Sequence, residues 1–264
     1  MPAWLCETCG VQHAESDEPP DRCAICEDER QYVPAAGQRW TTLEELRAGH
    51  RATIRDEDPG VLGIGCEPEF AIGQRALFVE DVLWDCTPLL DGMAEAVEAR
   101  GGLRAIAIDH PHFHSTAVEW SRALGGVPVY VHADDREWVM RPDPCFELWE
   151  GEELDLGNGL TLLRLGGHFT GGQVLHWAGG ADGRGALLSG DIVTVVADRG
   201  WVSFMYSYPN LIPLPAATIR RMAEKLEPYT FEKIYGGWWG RIVAEDGKAT
   251  VRRSAERYVR AIVG

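Results

Sequence analysis

A run of apolar residues, Ala105-Ile-Ala-Ile108, leads through Asp109 into His110, His112 and His114, three of the chain's eight histidines at alternate positions. Alternate residues of an extended backbone share a face. If the strand continues past Ile108, all three imidazoles point the same way, where they either ligate a metal or crowd as titrating groups. A solvated polar loop is the plain alternative. Three histidines within five residues favour metal, and the rest of the chain must then supply the missing ligands.

Four of the seven cysteines form two CxxC units, Cys6-Glu-Thr-Cys9 and Cys23-Ala-Ile-Cys26. A polar loop between two such units lets four thiolates surround one tetrahedral ion. The segment has too few large apolar residues to fold without such a staple. An odd cysteine count with paired CxxC units also fits a metal site in a reducing compartment better than disulfides. Cys66, Cys86 and Cys145 are scattered and read as buried small apolar residues.

With Trp4, the glycine after Cys9 and Pro19-Pro20 before the second knuckle, about the first 35 residues resemble the rubredoxin-like or zinc-ribbon domain of rubrerythrins. Two positions depart from that pattern: Ala24 stands for the usual proline and Glu27 for the usual glycine. In that family the small residues admit amide hydrogen bonds to sulfur. The resemblance therefore implies a structural Zn²⁺ held by Cys6, Cys9, Cys23 and Cys26, with iron as the alternative.

The chain's 264 residues suffice for one large α/β domain with a small appendage. We place the ribbon at residues 1–37 and the second domain at 41–264, joined by the linker Pro34-Ala-Ala-Gly-Gln38. Thr41-Thr-Leu-Glu-Glu-Leu-Arg carries a helix-start signature with its acids in the first turn. Strands are expected at Val61–Ala71, Ala76–Val79, Val82–Asp85, Leu103–Ile108, Val127–Val131, Cys145–Asp155, Leu160–Leu165, Val174–Trp177 and Ala186–Leu188. Helices are expected at Leu89–Arg100, Ser115–Leu124, Asp134–Met140, Ala216–Leu226 and Thr250–Val263.

The site gains candidates from Gly167-His168-Phe-Thr-Gly and Ser189-Gly-Asp191, each just past an apolar strand and beside glycines that permit close backbone approach. Alone, His168 reads as a hydrogen-bonded loop residue and Asp191 as a turn residue. In this order after the histidine cluster, residues 41–264 resemble the metallo-β-lactamase-fold superfamily, whose members include glyoxalase-II-like thioester hydrolases. Val82-Leu-Trp-Asp85-Cys-Thr is similar to its early strand ending in Asp and Thr. His110-Pro-His112 matches the first half of its HxHxDH signature, Gly167-His168 its next metal histidine and Ser189-Gly-Asp191 its bridging aspartate. The resemblance implies an αββα sandwich with metal at the rim where strands end.

The rest of HxHxDH is occupied by His114 and Ser115, and the late strand-end histidine falls near Gly236-Gly-Trp238-Trp239-Gly240. All three lost groups belong to the family's second metal site. The resemblance therefore implies one Zn²⁺ or other divalent metal on His110, His112 and His168, with Asp191 as fourth ligand or water holder. His114 is an extra ligand or the general base. Ser115 lacks the glycine-flanked elbow of an activated serine and reads as a helix N-cap. Phe169, Trp238 and Trp239 either wall a small apolar pocket or belong to the core. His132 and His176 read as residues that orient a loop or sit in a strand.

A three-histidine site with an open position lowers the pKa of water toward ~7, which is hydrolytic chemistry. The expected activity is hydrolysis of a small ester, thioester or lactone. The competing readings are a degenerate protein that binds metal or ligand without turnover, and a redox protein with rubredoxin-like iron. The formal charge of −16, from 25 Lys+Arg against 41 Asp+Glu, disfavours a nucleic-acid partner. Without a basic, apolar leader or a run of ~20 apolar residues, the expected setting is cytoplasmic with no membrane partner.

Overall fold

A computed structural model describes every residue from Met1 to Gly264. The chain divides into two compact units, Met1–Leu148 and Trp149–Gly264.

The first unit begins with an antiparallel three-stranded sheet in which Ala3–Cys6 lies between Gln12–Glu15 and Trp40–Thr41. Cys6 ends the central strand, and Cys23 caps a single helical turn, Ala24–Glu27. The four cysteines, Val11 and Ile25 make the small core, with Trp40, Trp138 and Met140 packed against it. Trp138 and Met140 come from far along the same unit. Arg141 fastens the two parts by bonding the side chains of Gln12, Glu15 and Glu119. The 34–38 linker is tethered as well, because Gln38 Nε2 donates to Cys6 Sγ at 2.9 Å.

Leu43–Gly49 is a helix whose start matches its sequence signature: Thr42 Oγ1 accepts from Glu45 N, and the Glu45 carboxylate accepts from Thr42 N. A seven-stranded sheet follows, in the order Phe146–Trp149, Val129–His132, Ala105–Ala107, Val82–Trp84, Ala76–Val79, Val61–Glu67, Arg51–Asp58. The strands at 82, 105 and 129 pair in parallel, which leads the chain ends after Trp84 and Ala107 to the same edge. That edge carries Asp85, Asp109 and the histidines.

The second unit holds a six-stranded sheet ordered Glu153–Gly157, Leu160–Arg164, Gln173–Trp177, Ala186–Gly190, Lys233–Gly236, Ile242–Val243. Helix Ala216–Leu226 buries Ile219, Met222 and Leu226, a stripe at i, i+3 and i+7. Those residues share a core with Val174, Leu187 and Ile234 of the sheet and Val251 of helix Gly247–Val263. Each such side chain taken fully out of water contributes about 1.5–3 kcal/mol. No helix is long and apolar enough to cross a membrane.

Several expected elements differ in extent. The strand into the histidines covers only Ala105–Ala107, and Pro111–Phe113 is a 3-10 turn with proline at its start. Pro111 has no N–H for a ladder and a φ suited to a helical turn, so the condition for three histidines on one face, an extended backbone past Ile108, holds only as far as His110. The helix expected at Leu89–Arg100 is Met93–Glu98, entered through Gly92 in the left-handed region. Cys145–Asp155 is two strands, Phe146–Trp149 and Glu153–Gly157, split by a turn at Gly151. Arg51–Asp58 is a strand that its charges conceal: it lies at the sheet edge and exposes them.

Candidate metal centres

In the ribbon, Cys6 Sγ lies 3.5 Å from Cys26 Sγ, and Cys9 Sγ 3.7 Å from Cys23 Sγ. Thiolates about 2.3 Å from a central metal form a tetrahedron with edges of about 3.8 Å, whereas disulfide sulfurs sit about 2.05 Å apart. The spacing is that of a metal site, and all four thiols are buried and unpaired as disulfides. Hydrogen bonds from Cys26, then Cys6 and Cys9, pull the Cys23 thiol down, while burial first pushes Cys9 up. His13 Nε2 lies 3.5 Å from Cys23 Sγ and packs edge-on to Trp40, an outer contact that the motif did not announce. Thr8 N reaches Cys6 Sγ at 3.4 Å, whereas Glu27 N bonds the Cys23 carbonyl and not a sulfur. The second knuckle thus folds as a helical turn, in keeping with Ala24 and Glu27.

The second candidate centre begins in the first unit. The 3-10 turn, closed by Phe113 N to His110 O and His114 N to Pro111 O, brings the His110 and His112 rings to 4.8 Å, edge to face. His114 does not continue that face. Its ring packs against Phe146 at 5.8 Å, and its buried Nε2 has no hydrogen-bond partner. Asp109, also buried, takes His110 Nδ1 at 2.7 Å, while its own N–H donates to Asp85 Oδ1 at 2.9 Å. That pairing leaves His110 Nε2 as the nitrogen for ligation, the arrangement usual around metal-bound histidines.

Burial first and the Arg30 charge second hold the His110 imidazole well below the ordinary histidine range. Burial, then His110, pushes His114 down to about 3. Neutral imidazole is the metal-binding form. Burial and then the neighbouring Asp109 raise the Asp85 carboxyl well above the usual carboxylate range.

Arg30 belongs to the ribbon, where Asp28 grips its guanidinium at 2.5 and 2.9 Å and the Trp138 ring lies 4.9 Å away.

Ser115 is not the cap expected of it. It sits at φ +39° with a buried, unpartnered hydroxyl, and Thr116 occupies the boundary of helix Ala117–Ala123. Thr116 Oγ1 is engaged elsewhere, accepting from Leu89 N and donating to Thr87 O.

The second unit supplies His168 and Asp191. His168 sits in a tight loop in which Leu165 and Gly166 both donate to Gly172 O. Gly167 has φ +91°, and a Cβ there would stand 2.9 Å from Met222 Sδ, so only glycine fits before this histidine. His168 Nδ1 meets the Tyr206 carbonyl at 2.6 Å, which again leaves Nε2 for ligation. Asp191 follows strand Ala186–Gly190, and its carbonyl accepts from Tyr208 Oη at 2.6 Å and Thr194 Oγ1 at 2.9 Å. Tyr208 also packs edge-on to His168, ring centres 5.5 Å apart. Neither tyrosine stands out in the sequence; only the short Met205–Ser207 and Ile212–Pro213 hairpin brings them to these ligands.

The remaining candidates sort plainly. His132 ends its strand and accepts from Asp134 N, and His176 lies in a strand with Nε2 on Thr230 O. Cys86 is buried as expected, but Cys66 and Cys145 are only half-buried. Phe169 is core, whereas Trp238 and Trp239 are partly exposed in the turn after Lys233–Gly236. The four-cysteine cluster and the His/Asp clusters all carry the donor sets of metal sites.

No family model matches the chain. It is 49% identical over 269 residues to the uncharacterized protein YmaE of Bacillus subtilis (strain 168), covering 99% of this chain and 97% of that one. Among solved structures, VMB-1 at pH 5.5 superposes with TM-score 0.60 and 12% identity, covering 81% of this chain and 99% of VMB-1. The metallo-β-lactamase FIM-1 from Pseudomonas aeruginosa, in its mono-zinc form, matches at TM-score 0.55 and 16% identity over 81% of this chain and 97% of FIM-1. The fold is that of the metallo-β-lactamases, as the His-x-His and Gly-His signatures implied, and the four-cysteine cluster is compatible with a ribbon ahead of it.

Proposed function

Because the chain belongs to the family of Bacillus subtilis YmaE and is built on the metallo-β-lactamase fold, we propose that it is a metal-dependent hydrolase of a small ester, thioester or lactone. On the family resemblance we assign one divalent metal to His110, His112 and His168, with Asp191 as fourth ligand or water holder. Zinc is the metal we assign to both centres, structural in the ribbon.

What carries the reading is that each unit prepares its histidine in the same way. Asp109 holds His110 Nδ1 at 2.7 Å, and the Tyr206 carbonyl holds His168 Nδ1 at 2.6 Å, so each keeps Nε2 for a ligand. Histidines that serve only packing have no need of this shared orientation. Neutral imidazoles and a carboxylate fit a divalent cation. Bound there, such an ion supplies Lewis acidity, acidifying water and polarising a carbonyl. The chain's own groups do the rest: Asp109 and Tyr206 orient, Asp191 accepts a proton or hydrogen bond, and His114 offers a neutral nitrogen. With His114 and Ser115 in the positions that the resemblance assigns to second-site ligands, a single ion is the stoichiometry we expect.

The test is elemental analysis joined to generic ester hydrolysis. Wild-type protein should carry two metals per chain, one in the ribbon, and His112→Ala should lose one together with all turnover. His114→Ala separates its two roles, since loss of a base leaves occupancy intact with a rate lowered by roughly 10²-fold. Three metals per chain, or full occupancy in His112→Ala, would overturn the mononuclear assignment. Metal without turnover on any ester or thioester would leave the degenerate reading.

A further inference from the structure

We propose that Tyr208 is a positioning residue for the second unit's two candidate metal ligands, its hydroxyl fixing the Asp191 main chain and its ring fixing His168. The proposal rests on the metal-centre reading above, and it adds a residue that no motif marks.

The geometry begins at Asp191. Strand Ala186–Gly190 ends in a turn closed by Ile192 N on Ser189 O, and Gly237 N takes the Gly190 carbonyl. Pairing along the strand stops there, so the Asp191 carbonyl must find other donors. Tyr208 Oη donates to it at 2.6 Å, and Thr194 Oγ1, 2.9 Å away, shares its one proton between that carbonyl and Tyr208 Oη. Together the two hydroxyls fix the Asp191–Ile192 peptide plane, and with it the direction from which the Asp191 carboxylate leaves the chain. The other end of Tyr208 acts on the second ligand. Its ring lies edge-on to the His168 imidazole, while the carbonyl of Tyr206, two residues earlier, holds Nδ1. One short hairpin thus fixes both ligands of this unit, and Tyr208 touches both.

A tyrosine hydroxyl on a carbonyl is often only structural, and the same unit contains a purely structural tyrosine hydroxyl. Tyr258 Oη accepts from Leu214 N at 3.0 Å and lies 3.6 Å from Met205 Sδ at the start of the hairpin, but it touches neither ligand. It is the natural control.

The experiment compares wild-type, Tyr208→Phe, Thr194→Val and Tyr258→Phe full-length protein, with the ribbon metal kept and the histidine site loaded with Co²⁺. Chelator competition reads affinity, and the visible d–d bands read coordination geometry. Tyr208→Phe keeps the ring and removes only the hydroxyl, so cobalt should bind about 10–100-fold more weakly, the usual cost of losing an outer-shell partner. Its bands should shift, and Tyr258→Phe should leave both readouts at wild-type values. Wild-type affinity and spectrum in Tyr208→Phe would overturn the proposal, as would an equal loss in Tyr258→Phe. If Tyr208→Phe does not fold, Thr194→Val decides: weaker binding with shifted bands supports the role, and unchanged values overturn it. Wild-type protein that takes up no cobalt beyond the ribbon's equivalent would instead overturn the metal-centre reading itself.

Discussion

His110 is oriented by its own sequence neighbour: the Asp109 carboxylate meets His110 Nδ1 at 2.7 Å, and both groups are buried. Asp109 is held in turn by Asp85, which accepts its N–H at 2.9 Å. A carboxylate on the far nitrogen fixes the tautomer and raises the basicity of the ligating one. Asp109→Ala should therefore weaken metal at the histidine site by about 10–100-fold while the ribbon keeps its ion. Chelator titration of the variant against wild type checks this, and equal affinities would show that Asp109 does not orient a ligand.

The ribbon makes a second prediction, because its thiolates support more than themselves. Trp138 and Met140 pack on the four-cysteine cluster, and Arg30 is held between Asp28 and Trp138. Metal-binding free energy is folding free energy in modules of this size. Cys23→Ser should lose one equivalent of metal and open protease sites before residue 40. It should also open sites around Ala133–Trp138, whose last residue would lose its support. A variant that keeps its metal and resists cleavage would show the site misread.

How far the sequence discloses this molecule varies with the kind of signal. Both CxxC units and the His-x-His and Gly-His motifs are legible because metal chemistry restricts residue type and spacing. Helix Ala216–Leu226 is legible to the residue, since its apolar period and the preceding Pro215 are local. The direction of His114 is not, because Pro111 turns the chain and a strand-based face no longer applies. Strand Arg51–Asp58 hides for a different reason: an edge strand that exposes its charges lacks the apolar alternation that marks a half-buried one. Tyr206 and Tyr208 act through a carbonyl and a long-range contact, which no local pattern encodes.

The capping box at Thr42 gives a prediction with a pH sign. Thr42→Ala should cost about 1 kcal/mol, read as a shift in the urea midpoint. Glu45, the reciprocal partner, has its carboxyl held below the ordinary carboxylate range by the Thr42 N–H first, then by the Thr41 and Thr42 hydroxyls. A depressed folded-state value means that the contribution is present above the ordinary carboxylate pKa and fades as pH falls through the folded value. The stability gap between wild type and Glu45→Ala should therefore be open at pH 7 and close below about pH 4. A gap that is constant across that range would exclude the ionised box.

Nucleic acid is the partner that charge most directly tests. The net charge of −16 opposes a phosphate backbone, yet helix Gly247–Val263 gathers Lys248, Arg252, Arg253, Arg257 and Arg260 against the single acid Glu256. Most of those cations already have work within the second unit. Arg252 and Lys248 both pair with Glu227, Arg253 donates to the Gly200 carbonyl at 2.8 Å, and the Arg257 guanidinium lies 3.6 Å over the Trp201 ring. Phosphate contacts would have to displace these partners, so little of the counterion release that drives non-specific binding is on offer. We expect no binding of labelled RNA or DNA tighter than about 10⁻⁴ M, the weak end of non-specific association, even at low salt, where attraction is strongest. Fluorescence anisotropy measures it. Tight association that weakens steeply with added salt would show that the helix overrides the acidic remainder.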